Sequence, residues 1–138
     1  LQLSKSSIDS LKQSKKVRRS FDNEIVTRLG RLMEEGKLYL NGDLTATSLA
    51  SSLGLSRHDL SDLLTVKFDT NFYDYVNRQR VEEFKKRIDS DEFNHLTILA
   101  IAFDSGFNSK TAFNSAFKKV EGMTPSQYRK KKTAIEDE

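Results

Sequence analysis

The sequence predicts an all-α chain, with two helix-turn-helix subdomains joined by a long linker helix, an extra N-terminal helix and linker, and about seven helices in all. Three observations carry this. Apolar residues recur at helical spacing almost throughout, and no segment alternates convincingly as a strand. One helix-turn-helix pattern occurs twice. Leu49-Ala50, Leu53-Gly54-Leu55-Ser56, Leu60, Leu63 and Leu64 are echoed by Ile101-Ala102, Gly106-Phe107, Ser109, Phe113, Ala116 and Phe117. The offset is 52 residues in the first helix of the motif and 53 in the second, because Asn108 lengthens the second turn.

The elements follow in order. Residues 1–20 are rich in Ser and Lys, with Lys12, Lys15, Lys16, Arg18 and Arg19 close together. They read as a basic linker, with a DNA-phosphate arm or a juxtamembrane segment as alternatives. The domain proper is expected over 21–138. A first helix over Asp22–Glu35 carries Ile25, Val26, Leu29, Leu32 and Met33, and Gly36 sits where it should stop. The first helix-turn-helix is placed at 45–66. Thr45 caps its first helix, Gly54 supplies a positive φ at that helix's end, and Ser56 with Asp59 forms a capping box for the second.

Phe72–Ile88 reads as one linker helix of about 25 Å, with Phe72, Val76, Val81, Phe84 and Ile88 roughly on one side. Arg80 lies near that apolar side and is expected in a structural ion pair. The second helix-turn-helix is placed at 97–119, its helices capped by Thr97 and Ser109. Thr124-Pro125-Ser126-Gln127 combines an N-cap, Pro at the first helical position and a capping-box Gln, opening a short helix at 125–131.

Composition narrows the function. The chain has 138 residues, enough for one domain or two small halves, and nine Phe residues supply much of its apolar area. A net charge of +3 permits nucleic-acid binding without arguing for it. There are no cysteines, which excludes disulfides, thiolate metal sites and a Cys nucleophile, and fits a cytoplasmic setting. His58 and His95 lack partners at metal spacing, so no metal and no cofactor are expected. No positioned base accompanies a nucleophile, and the glycines form no phosphate-cradling loop. An enzyme is rejected on these grounds.

A helix-turn-helix lays one helix across the DNA backbone and the next in the major groove. A single helix pair also occurs as a plain packing unit; duplication with matching polar outer faces sets this chain apart. Leu60, Leu63 and Leu64 should point inward, leaving Arg57, His58, Ser61 and Asp62 outward. Phe113, Ala116, Phe117 and Val120 should point inward, leaving Lys110, Thr111, Asn114, Ser115 and Lys118 outward. Short hydrogen-bonding side chains suit base edges and flanking cations suit phosphates. The second set satisfies this well, whereas Asp59 and Asp62 in the first are anions facing a polyanion.

From about Leu44 to Lys131 the chain resembles the DNA-binding domain of AraC/XylS-type transcription regulators. The matching residues are Leu49-Ala50, Gly54-Leu55-Ser56, Leu60-Ser61, Phe72, Tyr75 and Arg80-Val81. They continue with Ile98, Ile101-Ala102, Gly106-Phe107, Phe113, Ala116-Phe117-Lys118-Lys119, Gly122, Pro125 and Tyr128-Arg129. The resemblance implies two homeodomain-like subdomains held by the Phe72–Ile88 helix, with both recognition helices on one DNA face. Its base-contacting positions fall on His58, Ser61, Asp62, Thr111, Ala112 and Ser115. Arg57, Lys110, Asn114 and Lys118 then become phosphate contacts.

Three departures stand out. Asp62 and Ser115 occupy positions that are often basic in the family, Asp69 replaces a usual Gly, and Phe84 replaces a small residue. Asp tolerates the left-handed region better than most residues, so the turn at Asp69 should survive; Phe84 should repack the linker helix locally. The expected partners are double-stranded DNA and RNA polymerase, with no small-molecule ligand in this fragment. An interaction module docking polymerase or a sensor partner, with little DNA affinity of its own, is the alternative. The Leu at position 1 and the basic linker are read as pointing to a sensor region upstream, and the chain as cytoplasmic or the cytoplasmic part of a membrane-anchored regulator.

Overall fold

A computed structural model describes residues 23–136. The basic segment 1–20, Asp22 and the acidic Asp137–Glu138 lie outside the described residues. The chain divides into two compact units at the Gly36–Lys37 boundary. The described part of the first unit is a single helix, α1, at residues 23–34. It closes with the Glu35 and Gly36 amides both donating to Arg31 O, at 2.9 and 3.1 Å. The left-handed residue that follows is Lys37, at φ 46°, rather than Gly36.

The second unit is helical throughout its described residues. It begins with a one-turn 3-10 helix at Leu38–Leu40, which the apolar periodicity does not announce, and which buries Tyr39. The helices that follow are α2 (Ala46–Ser52), α3 (Arg57–Phe68), α4 (Phe72–Ile88), α5 (Ile98–Asp104), α6 (Lys110–Glu121) and α7 (Pro125–Glu136), with a second 3-10 turn at Asp91–Phe93. Every α-helix start in this unit is capped by a side chain. Thr45, Ser56, Thr97 and Ser109 each accept from the amide three residues on, as expected. Thr124 and Gln127 form the reciprocal box ahead of α7. Asn71 caps α4 and binds Asp74 N at 2.9 Å. One expectation is corrected: the Asp59 carboxylate makes no return bond to Ser56. The reciprocal box forms instead at Thr45 and Ser48, where a hydroxyl reaches back.

The repeat is preserved down to its hydrogen bonds. After α2, Leu55 N donates to Ala50 O and Gly54 N to Ser51 O. After α5, Phe107 N donates to Ala102 O and Gly106 N to Phe103 O. These are the same helix-ending Schellman pairs, with the glycines at φ 70° and 111°. Asp69 also takes the left-handed conformation, φ 50° and ψ 46°, so the turn survives without Gly.

Each motif has its own apolar centre. Leu49, Ala50, Leu53, Leu60, Leu63 and Leu64 are buried in the first. The second is aromatic: Phe84 lies 4.8 Å from Phe113 and 5.5 Å from Phe117 between ring centroids, and Phe107 lies 5.3 Å from Phe113. Phe84 is fully buried within this cluster. Tyr128 of α7 closes it, 5.5 Å from Phe117, with its hydroxyl on Asp89. Lys85–Glu121 at 2.8 Å and Lys132–Asp89 at 2.7 Å tie α4 and the turn after it to α6 and α7.

Candidate nucleic-acid interface

The second helix of each motif is amphipathic because its inward residues recur at i, i+3 and i+4. In α3 the buried residues are Leu60, Leu63 and Leu64; in α6 they are Phe113, Ala116 and Phe117. The remaining positions therefore face outward. Arg57, His58, Ser61 and Asp62 are exposed, as are Lys110, Thr111, Ala112, Asn114, Ser115 and Lys118. Val120, expected inward, is half-buried against the aromatic cluster.

The two faces differ chemically. On α6, the side chains of Lys110, Thr111, Asn114, Ser115 and Lys118 have no hydrogen bond or ion pair among the described residues. Their donors and acceptors are free for an external partner. On α3, Asp62 is not free: its Oδ2 sits 3.4 Å from His58 Nε2, one turn back. The Asp62 carboxylate is thus partnered by the His58 ring. Both groups are exposed, so the pair is weak and readily exchanged for contacts to a ligand. Lys119, next to Lys118, is taken up by Asp74 at 2.8 Å and joins the end of α6 to the start of α4.

Behind the faces lies a polar joint that the sequence pattern did not identify. Arg80 was expected in an ion pair. It instead donates from Nε to Tyr39 O at 2.7 Å and from Nη2 to Asn41 O at 3.0 Å, with its guanidinium 5.9 Å from the Phe107 ring centroid. Burial pushes it below its ordinary value, without discharging a guanidinium. Asn108 donates its side-chain amide to Gly42 O. Glu83 is buried on the same helix as Arg80 and accepts from Lys37 Nζ and Tyr39 OH, both at 3.4 Å. Burial and the Glu83 carboxylate both raise the Tyr39 phenol above its ordinary value, which keeps it a donor. His95 lies exposed in the turn after Asp91–Phe93. No described helix is long and apolar enough to cross a membrane.

Comparison with known proteins gives these faces a context. A family profile described as a helix-turn-helix domain matches residues 49–131. An uncharacterized HTH-type transcriptional regulator of Staphylococcus aureus (strain COL) is 32% identical over 99 residues, covering 72% of this chain and 13% of that protein. An AraC-like transcription regulator, so named in Streptomyces lividans, is 30% identical over 89 residues, covering 64% of this chain and 28% of that protein. Among solved structures, the C-terminal domain of AraT, a response regulator from Geobacillus stearothermophilus, superposes with a TM-score of 0.66 at 29% identity. That match covers 78% of this chain and 84% of the other. The chain thus spans only a small part of the curated relatives it matches. Its duplicated, capped helix pairs and exposed polar α3 and α6 faces are those of a DNA-binding transcription-regulator domain rather than an enzyme, and the chain belongs to the AraC-type helix-turn-helix family.

Proposed function

We propose that this domain binds double-stranded DNA sequence-specifically as a monomer, reading two successive major-groove segments on one DNA face with α3 and α6. The observation that carries the proposal is the pair of exposed polar faces at matching positions of the repeat. His58, Ser61 and Asp62 on α3, and Thr111, Ala112 and Ser115 on α6, meet base edges. Arg57, Lys110, Asn114 and Lys118 meet phosphates and fix the register. Asp62 accepts from a cytosine amino group on cognate DNA and repels phosphate elsewhere, which favours specificity over affinity. The domain 21–138 acts as the output part of a longer regulator and contacts RNA polymerase while bound to DNA. The much greater length of its relatives supports that role.

The direct test is a footprint. Two recognition helices one helical turn apart, about 34 Å, should protect a bipartite site of roughly 20 base pairs, with affinity falling steeply as salt rises. A palindromic site bound with the square of protein concentration would refute the tandem monomer. Binding insensitive to salt would favour a protein-interaction module instead. One observation favours that second reading: Val66 near the end of α3 and Tyr73 near the start of α4 are apolar side chains 74% and 75% exposed, each open to a protein contact.

The two kinds of contact separate on α6. Thr111→Ala should cost about 1–3 kcal/mol on the cognate site and relax preference there, while Lys118→Ala should weaken cognate and random duplexes alike and lower the salt slope by about one. Competition titrations at matched salt would show it. Equal losses on both duplexes for Thr111→Ala would remove that residue from the base-reading set.

A further inference from the structure

The two repeats differ by one inserted residue, and the structure shows what that residue touches. Asn108 lengthens only the second turn, and its side-chain amide donates to the carbonyl of Gly42. Gly42 belongs to the segment leading into the first motif, three residues ahead of the Thr45 cap of α2. Three residues reach at most about 10 Å, so a hold on Gly42 is a hold on α2. The same segment is gripped by Glu83, which accepts from Lys37 Nζ and Tyr39 OH, and at two further points. Arg80 of α4 binds the Tyr39 and Asn41 carbonyls. Gly106 leaves the space in which a Cβ would collide with the Tyr39 carbonyl and Arg80 Nε. The first turn has no residue equivalent to Asn108.

We infer that Asn108, together with Arg80 and Gly106, is a strut that sets the register between the two recognition helices, so that residues touching no base determine which spacing of DNA half-sites the chain accepts. Apart from it, the motifs are joined through α4, the short turn at Asp69–Asn71 and the 3.4 Å contacts of Glu83 with Lys37 and Tyr39, and without the strut the first motif can pivot about that turn. The inference rests on the two-segment reading above. A one-base-pair change in spacing moves one half-site by about 3.4 Å and turns it by about a tenth of a turn. A rigid reader cannot follow both displacements; a pivoting one can.

The test uses the full chain and a duplex that it selects from a randomised library. That duplex is remade with one base pair added or removed between the half-sites, and as each half-site alone. The wild-type chain should lose about tenfold or more on either altered spacer. Asn108→Ala, and Asn108→Asp whose carboxylate repels the Gly42 carbonyl, should each lose less than about threefold on the altered spacers. Their binding to isolated half-sites should stay within about twofold of wild type. Circular dichroism melts confirm that both variants are folded; the site is exposed, so they should be. A wild-type spacer profile in both variants overturns the strut, as does a matching loss on isolated half-sites. If the wild-type chain binds one half-site as tightly as two, the two-segment reading itself fails, which is a different result.

Discussion

Phe113→Ala should destabilise the second unit by about 3–5 kcal/mol, the range for emptying an aromatic side chain from a packed core. Phe113 is 1% exposed, and its ring meets three others: Phe84 at 4.8 Å, Phe107 at 5.3 Å and Phe117 at 5.9 Å. These partners come from α4, the second turn and α6 itself. Truncation therefore loosens the helix that presents Thr111 and Ser115 as well as the frame behind it. A domain of this size has about 5–15 kcal/mol to lose and shifts its melting point by about 4–8 °C per kcal/mol. Thermal denaturation followed by circular dichroism should show a drop of roughly 12 °C or more. Phe103→Ala is the control, since Phe103 is 45% exposed and should change stability by no more than about 0.5 kcal/mol. A Phe113→Ala melt within a few degrees of wild type would mean that the aromatic cluster does not hold the second motif together.

The caps, the turns and the outward faces were legible in the sequence because each is written within four or five residues of itself. Thr45, Ser56, Thr97 and Ser109 are caps by virtue of the amide three residues away. The outward set on α6 follows once Phe113, Ala116 and Phe117 are assigned inward. The polar joint was illegible for the opposite reason. Arg80 binds carbonyls 41 and 39 residues away, and a carbonyl looks the same at every position of a sequence. Glu83 is buried because Lys37, Tyr39 and Arg87 approach it from two segments, and helical periodicity alone marks it only as polar. Asn108 was visible as a break in the repeat, but its partner Gly42 is 66 residues off. The His58–Asp62 pair is a lesser case, since four-residue spacing on a helix is a signal for such a contact.

Gly106→Ala should be the most damaging of the glycine substitutions, and a comparison with Gly122→Ala shows why. Gly54, Gly106 and Gly122 all have positive φ, at 70°, 111° and 74°. At Gly54 and Gly122 an added methyl group meets nothing within 4 Å, so the cost is that of holding a non-glycine residue in the left-handed region, about 1–2 kcal/mol. At Gly106 the backbone strain is joined by a collision with the Tyr39 carbonyl and with Arg80 Nε at 2.8 Å. A carbonyl in a hydrogen-bonded turn cannot swing aside as a side-chain tip can. Moving it breaks the 2.7 Å bond that satisfies the part-buried Arg80 guanidinium. An unsatisfied hydrogen bond to a charged group adds about 1.5–3 kcal/mol, so the total should reach roughly 3 kcal/mol or more. Urea denaturation of the two variants side by side measures the difference, with the slope checked for constancy so that midpoints compare stabilities. If Gly106→Ala loses no more than Gly122→Ala, the segment at Tyr39 yields freely. The close approach of the second turn to the Leu38–Leu40 segment would then contribute nothing to the stability of the domain.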